Sequence, residues 1–239
     1  MKPEEGTEVA PVCCAVLVAA GNSVRMGEPK QFMKLLGVPA IVWTLRAFDR
    51  ARSVSSLVLA VRPGEEGEMA RLAREYGVQK PVSFVPGGEE RQVSVWKGVQ
   101  AAPGEAELIA VHDGARPLVT PEEIDRAVGA VRPPAAAALA VPVKDTIKIA
   151  GEGGLVLSTP PRESLWAVQT PQVFPAARYR RELALALEEG RLYTDDCQLW
   201  EHAGLPVHLC RGSYENLKLT TREDAVTAES LLRERGQRL

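Results

Sequence analysis

The run from Cys13 to Val18 is wholly apolar. It ends on Ala19-Ala20-Gly21, before a loop that carries Arg25, Gly27, Pro29 and Lys30. A short apolar run closed by turn residues is the signature of a strand buried on both faces. A chain that opens on such a strand must cover both sides of a sheet, and this drives it toward α/β layering. The loop that follows has the build of a polyphosphate cradle. Glycine lets the backbone approach an anion, while Arg25 and Lys30 supply positive charge. Two common nucleotide fingerprints do not fit. Gly21 and Gly27 are one residue too far apart for a P-loop, Glu28 stands where that motif needs lysine, and no G-x-G-x-x-G is present.

Apolar strand-length runs then alternate with amphipathic segments. Strands are predicted at 12–18, 56–61, 82–85, 107–111, 135–143 and 206–210. Helices are predicted at 40–51, 65–76, 89–102, 176–189 and 194–203. Capping boxes predict two more, one opening at Thr120-Pro121-Glu122-Glu123 and one running from Thr220-Thr221-Arg222-Glu223 to about Arg235. Shorter extended pieces are expected at 165–169 and 216–220. This β-α-β-α order implies a doubly wound, mostly parallel sheet with helices on both faces. The alternation breaks after Val143. Residues 145–150 and 155–158 flank Gly151-Glu152-Gly153-Gly154, a β-hairpin signal. Two short strands alone are marginally stable. Residues 144–165 are therefore expected to form a protruding arm, supported most simply by a second copy of the chain. The remaining organisation reads as a disordered tail at 1–11 and a single domain at 12–239.

Bulk properties exclude several classes. With a net charge of -2 across 239 residues there is no global electrostatic case for nucleic acid or an anionic membrane. The longest apolar stretches fall far short of a membrane span. Residues 1–11 hold Glu4, Glu5 and Glu8 and lack the apolar core of a signal peptide. The four cysteines form no C-x-x-C, so a reducing, cytoplasmic setting is expected. The three histidines have no metal-ligand spacing.

In a doubly wound sheet, ligands bind beyond the carboxyl ends of the strands. The polar residues at those ends are Arg25 and Lys30; those of Pro86-Gly87-Gly88-Glu89-Glu90-Arg91-Gln92-Val93-Ser94; those of His112-Asp113-Gly114-Ala115-Arg116-Pro117; and Lys144-Asp145-Thr146. Arg162, Thr170 and Lys218 follow later. Asp113, closing an apolar strand, is placed to hold Mg²⁺ beside phosphates, or else to cap a turn. Gly87-Gly88 offers main chain to a flat nucleobase, or is a plain turn. Ser94 and Lys218 could each simply face water, and Arg116 and Arg162 could each be structural ion-pair residues. No G-x-S-x-G is present. Cations with one or two carboxylates are the inventory of phosphate-oxygen chemistry, where the protein positions polyanions and needs no covalent nucleophile.

Seven blocks complete the reading: A-A-G-x-x-x-R-M-G-x-P-K-Q-F, P-G-G-E-x-R-x-x-S-V, H-D-G-A-R-P, D-T-I-K, L-W-x-x-Q-T-P-Q-x-F, T-D-D and N-x-K-L-T. In this order they resemble the 2-C-methyl-D-erythritol 4-phosphate cytidylyltransferases, from about Cys14 to the C-terminus. The resemblance implies a Rossmann-like nucleotidyltransferase that joins CTP to 2-C-methyl-D-erythritol 4-phosphate with Mg²⁺, releasing pyrophosphate, in the non-mevalonate isoprenoid pathway. It implies that Ala19, Ala20, Gly21, Gly88, Glu89 and Ser94 line the CTP pocket. Arg25 and Lys30 would grip the triphosphate, with Lys218 also catalytic, and Asp113 would sit at the metal. Thr146, Arg162 and Lys218, helped by Arg116, would hold the sugar phosphate. Glu89 stands where the family often has Asp. The arm would embrace the second subunit of a homodimer and bring its threonine to the neighbour's site. Two alternatives share parts of this pattern: a ribitol 5-phosphate cytidylyltransferase and a non-catalytic nucleotide-binding scaffold.

Overall fold

The computed structural model describes residues 11–21 and 30–236. Positions 22–29, which include Arg25, and most of the expected tail lie outside the described residues. In chain order the elements are β1 (Cys13–Val18), β2 (Lys34–Leu35), β3 (Val38–Pro39), α1 (Ala40–Arg50), β4 (Val54–Val61), α2 (Glu66–Glu75), β5 (Val82–Pro86), α3 (Arg91–Ala101), β6 (Leu108–Asp113), α4 (Pro121–Gly129) and β7 (Ala136–Pro142). There follow β8 (Ile149–Ala150), β9 (Val156–Ser158), β10 (Trp166–Pro175), α5 (Ala176–Glu188), α6 (Asp196–His202), β11 (Val207–Arg211) and α7 (Arg222–Glu234).

The main sheet runs β11-β7-β10-β6-β1-β4-β5. Alternate residues of β1 point to opposite faces, as its double burial requires. Cys13, Ala15 and Leu17 join one core with Leu45 and Phe48 of α1, Met69 and Leu72 of α2, and Ile124 of α4. Cys14 and Val16 join the other, with Val95 and Val99 of α3, Tyr179 and Leu183 of α5, and Trp200 of α6. Each such large apolar side chain, fully buried, contributes roughly 1.5–3 kcal/mol before the entropic cost of ordering it. The doubly wound expectation is therefore met. The third cluster joins Ala228 and Leu232 of α7 to Leu35 and Trp43, pinning the C-terminal helix against the β2–β3 hairpin.

The first predicted capping box forms as expected, and the second forms one residue later than predicted. Thr120 and Glu123 close the start of α4, with Pro121 at its first turn, and Thr221 with Asp224 closes that of α7. One departure matters for the site. The extended piece expected at 165–169 is the first half of the ten-residue strand β10, which inserts antiparallel between β6 and β7. Its pairing with β7 slips between Val168 and Gln172, where Pro171 cannot donate to a ladder. The piece expected at 216–220 is not a strand. It is tied down by hydrogen bonds such as Leu219 N–H to the carbonyl of Ala115 at 2.8 Å. The arm is shorter in strand than expected: β8 pairs only with β9, by Ile149↔Ser158 and Ala150↔Val156.

Candidate active site

The chain order and the sheet order together locate the site. From β1 the chain moves outward through β4 and β5, then returns to lay β6 on the other flank of β1. The crevice between β1 and β6 is thus the topological switch point, the place where such sheets bind ligands. In register, Val18 faces Asp113 across it. A cavity of about 260 Å³ opens there, lined by Val18, Ala19, Ala20, Gly21, Lys30, Gln31, Gly88, Glu89, Glu90, Arg91, Ser94, Asp113, Gly114, Ala115 and Lys218.

The wall near β5 explains its glycines. Gly87 hydrogen-bonds Val61 O at 2.7 Å, and a Cβ added to Gly87 would lie 2.3 Å from that of Ala20. Only a bare backbone lets these two loops approach so closely. The Ser94 hydroxyl accepts from Gly88 N–H at 3.0 Å. Its role is to hold the glycine loop against α3, not to face solvent.

The floor is a charged cluster around Asp113. Its carboxylate meets Lys218 Nζ at 2.9 Å, Arg91 Nε at 3.1 Å and Arg116 Nε at 3.7 Å. Burial by itself would raise the Asp113 pKa. Arg91, Lys218 and Arg116 outweigh that and hold the carboxyl well below the usual range. Behind it, the backbone of Asp113 is fixed by a buried relay. Asp113 N–H donates to Thr170 Oγ1 at 3.1 Å, the Thr170 oxygen lies 2.9 Å from His112 Nδ1, and His112 Nε2 lies 3.3 Å from Arg116 O. A carbonyl only accepts, so Nε2 carries the ring proton, and the Thr170 hydroxyl donates to Nδ1. His112 has no exposed surface, and burial pushes its pKa from 6.5 down to about 3, which keeps the ring neutral. Arg116 donates to Asn216 O at 2.8 Å, and Asn216 Nδ2 to Thr170 O at 3.0 Å. The segment bearing Lys218 is thereby fastened to β10.

Of the residues singled out in the sequence, Ala19, Ala20, Gly21, Lys30, Gly88, Glu89, Ser94, Asp113 and Lys218 converge on this one cavity. Arg116 stands just behind it, on Asp113. Thr146 and Arg162 do not join it within the chain. Both are exposed on the arm, where Arg162 donates to Lys144 O at 3.1 Å. Arg25 lies outside the described residues. Sequence reasoning set Arg91 among the residues at a strand's carboxyl end, within the P-G-G-E-x-R block, but gave it no role; it bridges Asp113 and Asp196. An arginine in the first turn of a helix that begins at a strand's carboxyl end was the available signal.

Among the described residues no group of three or more His, Cys, Asp or Glu could hold a metal. One acidic side chain at the crevice floor suits Mg²⁺ of the kind that shares its shell with substrate phosphates and water. The donor set therefore fits an ion that arrives with a polyphosphate and not one caged by protein alone.

Comparison with known proteins agrees with this geometry. A profile of the family described as IspD, 2-C-methyl-D-erythritol 4-phosphate cytidylyltransferase, matches residues 13–234. The chain is 46% identical over 225 residues to the 2-C-methyl-D-erythritol 4-phosphate cytidylyltransferase of Desulforamulus reducens, covering 93% of this chain and 96% of that protein. It is 44% identical over 223 residues to the protein of the same name from Caldanaerobacter subterraneus subsp. tengcongensis, covering 92% and 98%. Among solved structures it superposes on the 4-diphosphocytidyl-2C-methyl-D-erythritol synthase of Anaerococcus prevotii with a TM-score of 0.84 at 28% identity, over 94% of this chain and 99% of that one. The 2-C-methyl-D-erythritol 4-phosphate cytidylyltransferase of Thermus thermophilus gives 0.75 at 35% identity, over 92% and 98%. A switch-point cavity floored by one carboxylate among cations, in a chain this similar to these enzymes, makes the protein a member of the IspD family of nucleotidyltransferases.

Proposed function

We infer that this enzyme transfers the cytidylyl group of CTP to 2-C-methyl-D-erythritol 4-phosphate in the non-mevalonate isoprenoid pathway. A phosphate oxygen of the sugar attacks the α-phosphorus of CTP. One P–O bond forms, the bond from the α-phosphorus to the α,β-bridging oxygen breaks, and pyrophosphate leaves with that electron pair. The products are 4-diphosphocytidyl-2-C-methyl-D-erythritol and pyrophosphate. A phosphate monoester has its second pKa near 6, so the nucleophile is largely a dianion at neutral pH and needs no general base. The difficulty is to bring two polyanions together and stabilise charge at phosphorus, which fixed cations do.

The observation that carries this reading is the Asp113–Lys218 pair on the cavity floor, 2.9 Å apart. Lys218 is anchored at its root by the Asn216 and Leu219 hydrogen bonds, while its side chain remains 43% exposed. It can therefore swing from Asp113 to an incoming phosphate. Lys30, with Arg25 assigned from the sequence, grips the triphosphate. Ala19, Ala20, Gly21, Gly88, Glu89 and Ser94 frame the nucleotide. Asp113 would hold Mg²⁺ together with triphosphate oxygens, and the ion would supply charge neutralisation at the transferring phosphorus.

Residues 144–165 act as a dimerisation arm on one catalytic domain spanning 12–239. Leu155, Val156 and Leu157 lie exposed on a hairpin that pairs with no other strand among the described residues, a surface suited to a partner. The arm would carry Thr146 and Arg162, helped by Arg116, to the sugar phosphate in the neighbouring subunit's cavity. Four free, buried cysteines accord with a cytoplasmic setting. No described helix is long and apolar enough to cross a membrane.

The test is pyrophosphate release, measured with each of four nucleoside triphosphates against 2-C-methyl-D-erythritol 4-phosphate and ribitol 5-phosphate. Release is expected with CTP and the methylerythritol phosphate. Preference for ribitol 5-phosphate, or no release from any pair, would overturn the assignment.

A further inference from the structure

The T-D-D block, Thr194-Asp195-Asp196, does not line the cavity, yet its last carboxylate is directed toward it. Asp196 is 3% exposed. Its Oδ2 accepts from Arg91 Nη1 at 2.8 Å, and its Oδ1 accepts from the hydroxyl of Tyr179, a fully buried residue of α5. Arg91 offers Nε to Asp113 at the same time. One guanidinium thus bridges two buried carboxylates, one inside the cavity and one behind it. Burial opposes the charge on Arg91, but Asp196 and Asp113 outweigh it and raise its pKa, so the bridge stays cationic.

A single stretch of β10 sets the separation of those carboxylates. Thr170 accepts from the backbone N–H of Asp113. Two residues later, Gln172 Oε1 accepts from the backbone N–H groups of Asp196 and Cys197, at 3.1 and 3.0 Å. Gln172 also donates to Asp195 at 2.8 Å, the residue that caps α6. Buried polar groups are costly unless fully paired, and a chain needing only stability could place apolar residues here. The network instead holds Arg91 from both ends.

We propose that Asp196, backed by Tyr179 and Gln172, is a positioning residue for cytidylyl transfer: it anchors Arg91 on Asp113, so that Asp113 keeps its short contact to Arg91, beside the longer one to Arg116, when Lys218 moves to the phosphates. Without the anchor, Arg91 can follow the incoming phosphates too, and the floor loses its set geometry in the transition state. The proposal rests on the cytidylyltransferase reading above. Wild-type turnover of CTP with 2-C-methyl-D-erythritol 4-phosphate tests that reading by itself, before any variant is made.

The experiment is a double-mutant cycle of Asp196→Asn with Arg91→Gln, reading kcat and both KM values, with thermal unfolding as a check of folding. Asp196→Asn is expected to lower kcat roughly tenfold, the scale of a misplaced catalytic group. It is not expected to raise the KM for CTP, because it removes a negative charge near a polyanion. In the Arg91→Gln background the same change is expected to cost less than about twofold, since its route is gone. Tyr179→Phe, which keeps the buried ring, is expected to lower kcat roughly threefold through the same arginine, and it replaces Asp196→Asn in the cycle if that variant does not fold. Equal kcat losses in both backgrounds, or an unchanged kcat in Asp196→Asn, would overturn the proposal.

Discussion

The cavity floor and the arm are built on opposite plans. At the floor every charge has its partner within the chain: Asp113 meets three cations, and the loop that carries it is held from β10. On the arm, Thr146 and Arg162 stand exposed, and Leu155 is 71% exposed beside Leu157 at 64%. The floor is preorganised by its own fold, with Lys218 the cation proposed to move. The arm defers its order to whatever covers it. On the proposed function, the described residues assigned to the nucleotide gather at the floor and walls of one cavity, whereas Thr146 and Arg162, assigned to the sugar phosphate, stand apart on the arm.

The largest effect should come from the cations assigned to the triphosphate. Lys30→Ala, and separately Arg25→Ala, are expected to lower turnover by roughly 10²-fold or more, the scale of losing one preorganised charge. Steady-state kinetics with both substrates checks this, and near-normal rates in both variants would remove the cationic grip from the mechanism. Next comes the arm. Leu155→Asp combined with Leu157→Asp is expected to turn a dimer into a monomer in sedimentation and to raise the KM for 2-C-methyl-D-erythritol 4-phosphate roughly tenfold, with a smaller change for CTP. Equal changes for both substrates would erase the division between cavity and arm. The smallest effect concerns stability. Neutral, buried His112 titrates in the unfolded chain near 6.5 and in the folded chain near 3. Its contribution is therefore complete above pH 6.5 and is lost as the pH falls toward 3, at about 1.4 kcal/mol per pH unit at most. Urea unfolding from pH 7 to pH 4 should show a shallower fall for His112→Gln than for the native chain. Parallel curves would mean that the ring is not held neutral.

The same contrast explains what could be read from the sequence. The β1–α1–β4–α2 alternation was legible because each element is simple: buried strands are unbroken apolar runs, and helices carry one apolar stripe. Gly87-Gly88 was legible as a point of close backbone approach, and at Gly87 the neighbour is Ala20, which leaves no room for a Cβ. β10 was legible only in its first half. Thr170, Pro171 and Gln172 fell outside the predicted piece, since a central strand should exclude proline. Within β10, Thr170 and Gln172 accept from the backbone N–H groups of Asp113 and Asp196, the two residues that share Arg91. Arg91 was left without a role for a related reason. In isolation it is one more surface cation of a helix start, and its partner Asp196 lies more than a hundred positions away. Pairings of that span leave no local periodicity to detect.

One consequence follows from where the arm is rooted. It departs from the end of β7 and comes back as β10, and β10 is the strand whose Thr170 and Gln172 accept from the backbone N–H groups of Asp113 and Asp196. The hairpin and the reaction centre are thus spliced into one continuous lever. A displacement of its tip would run down the same backbone that holds Asp113 and Asp196 apart.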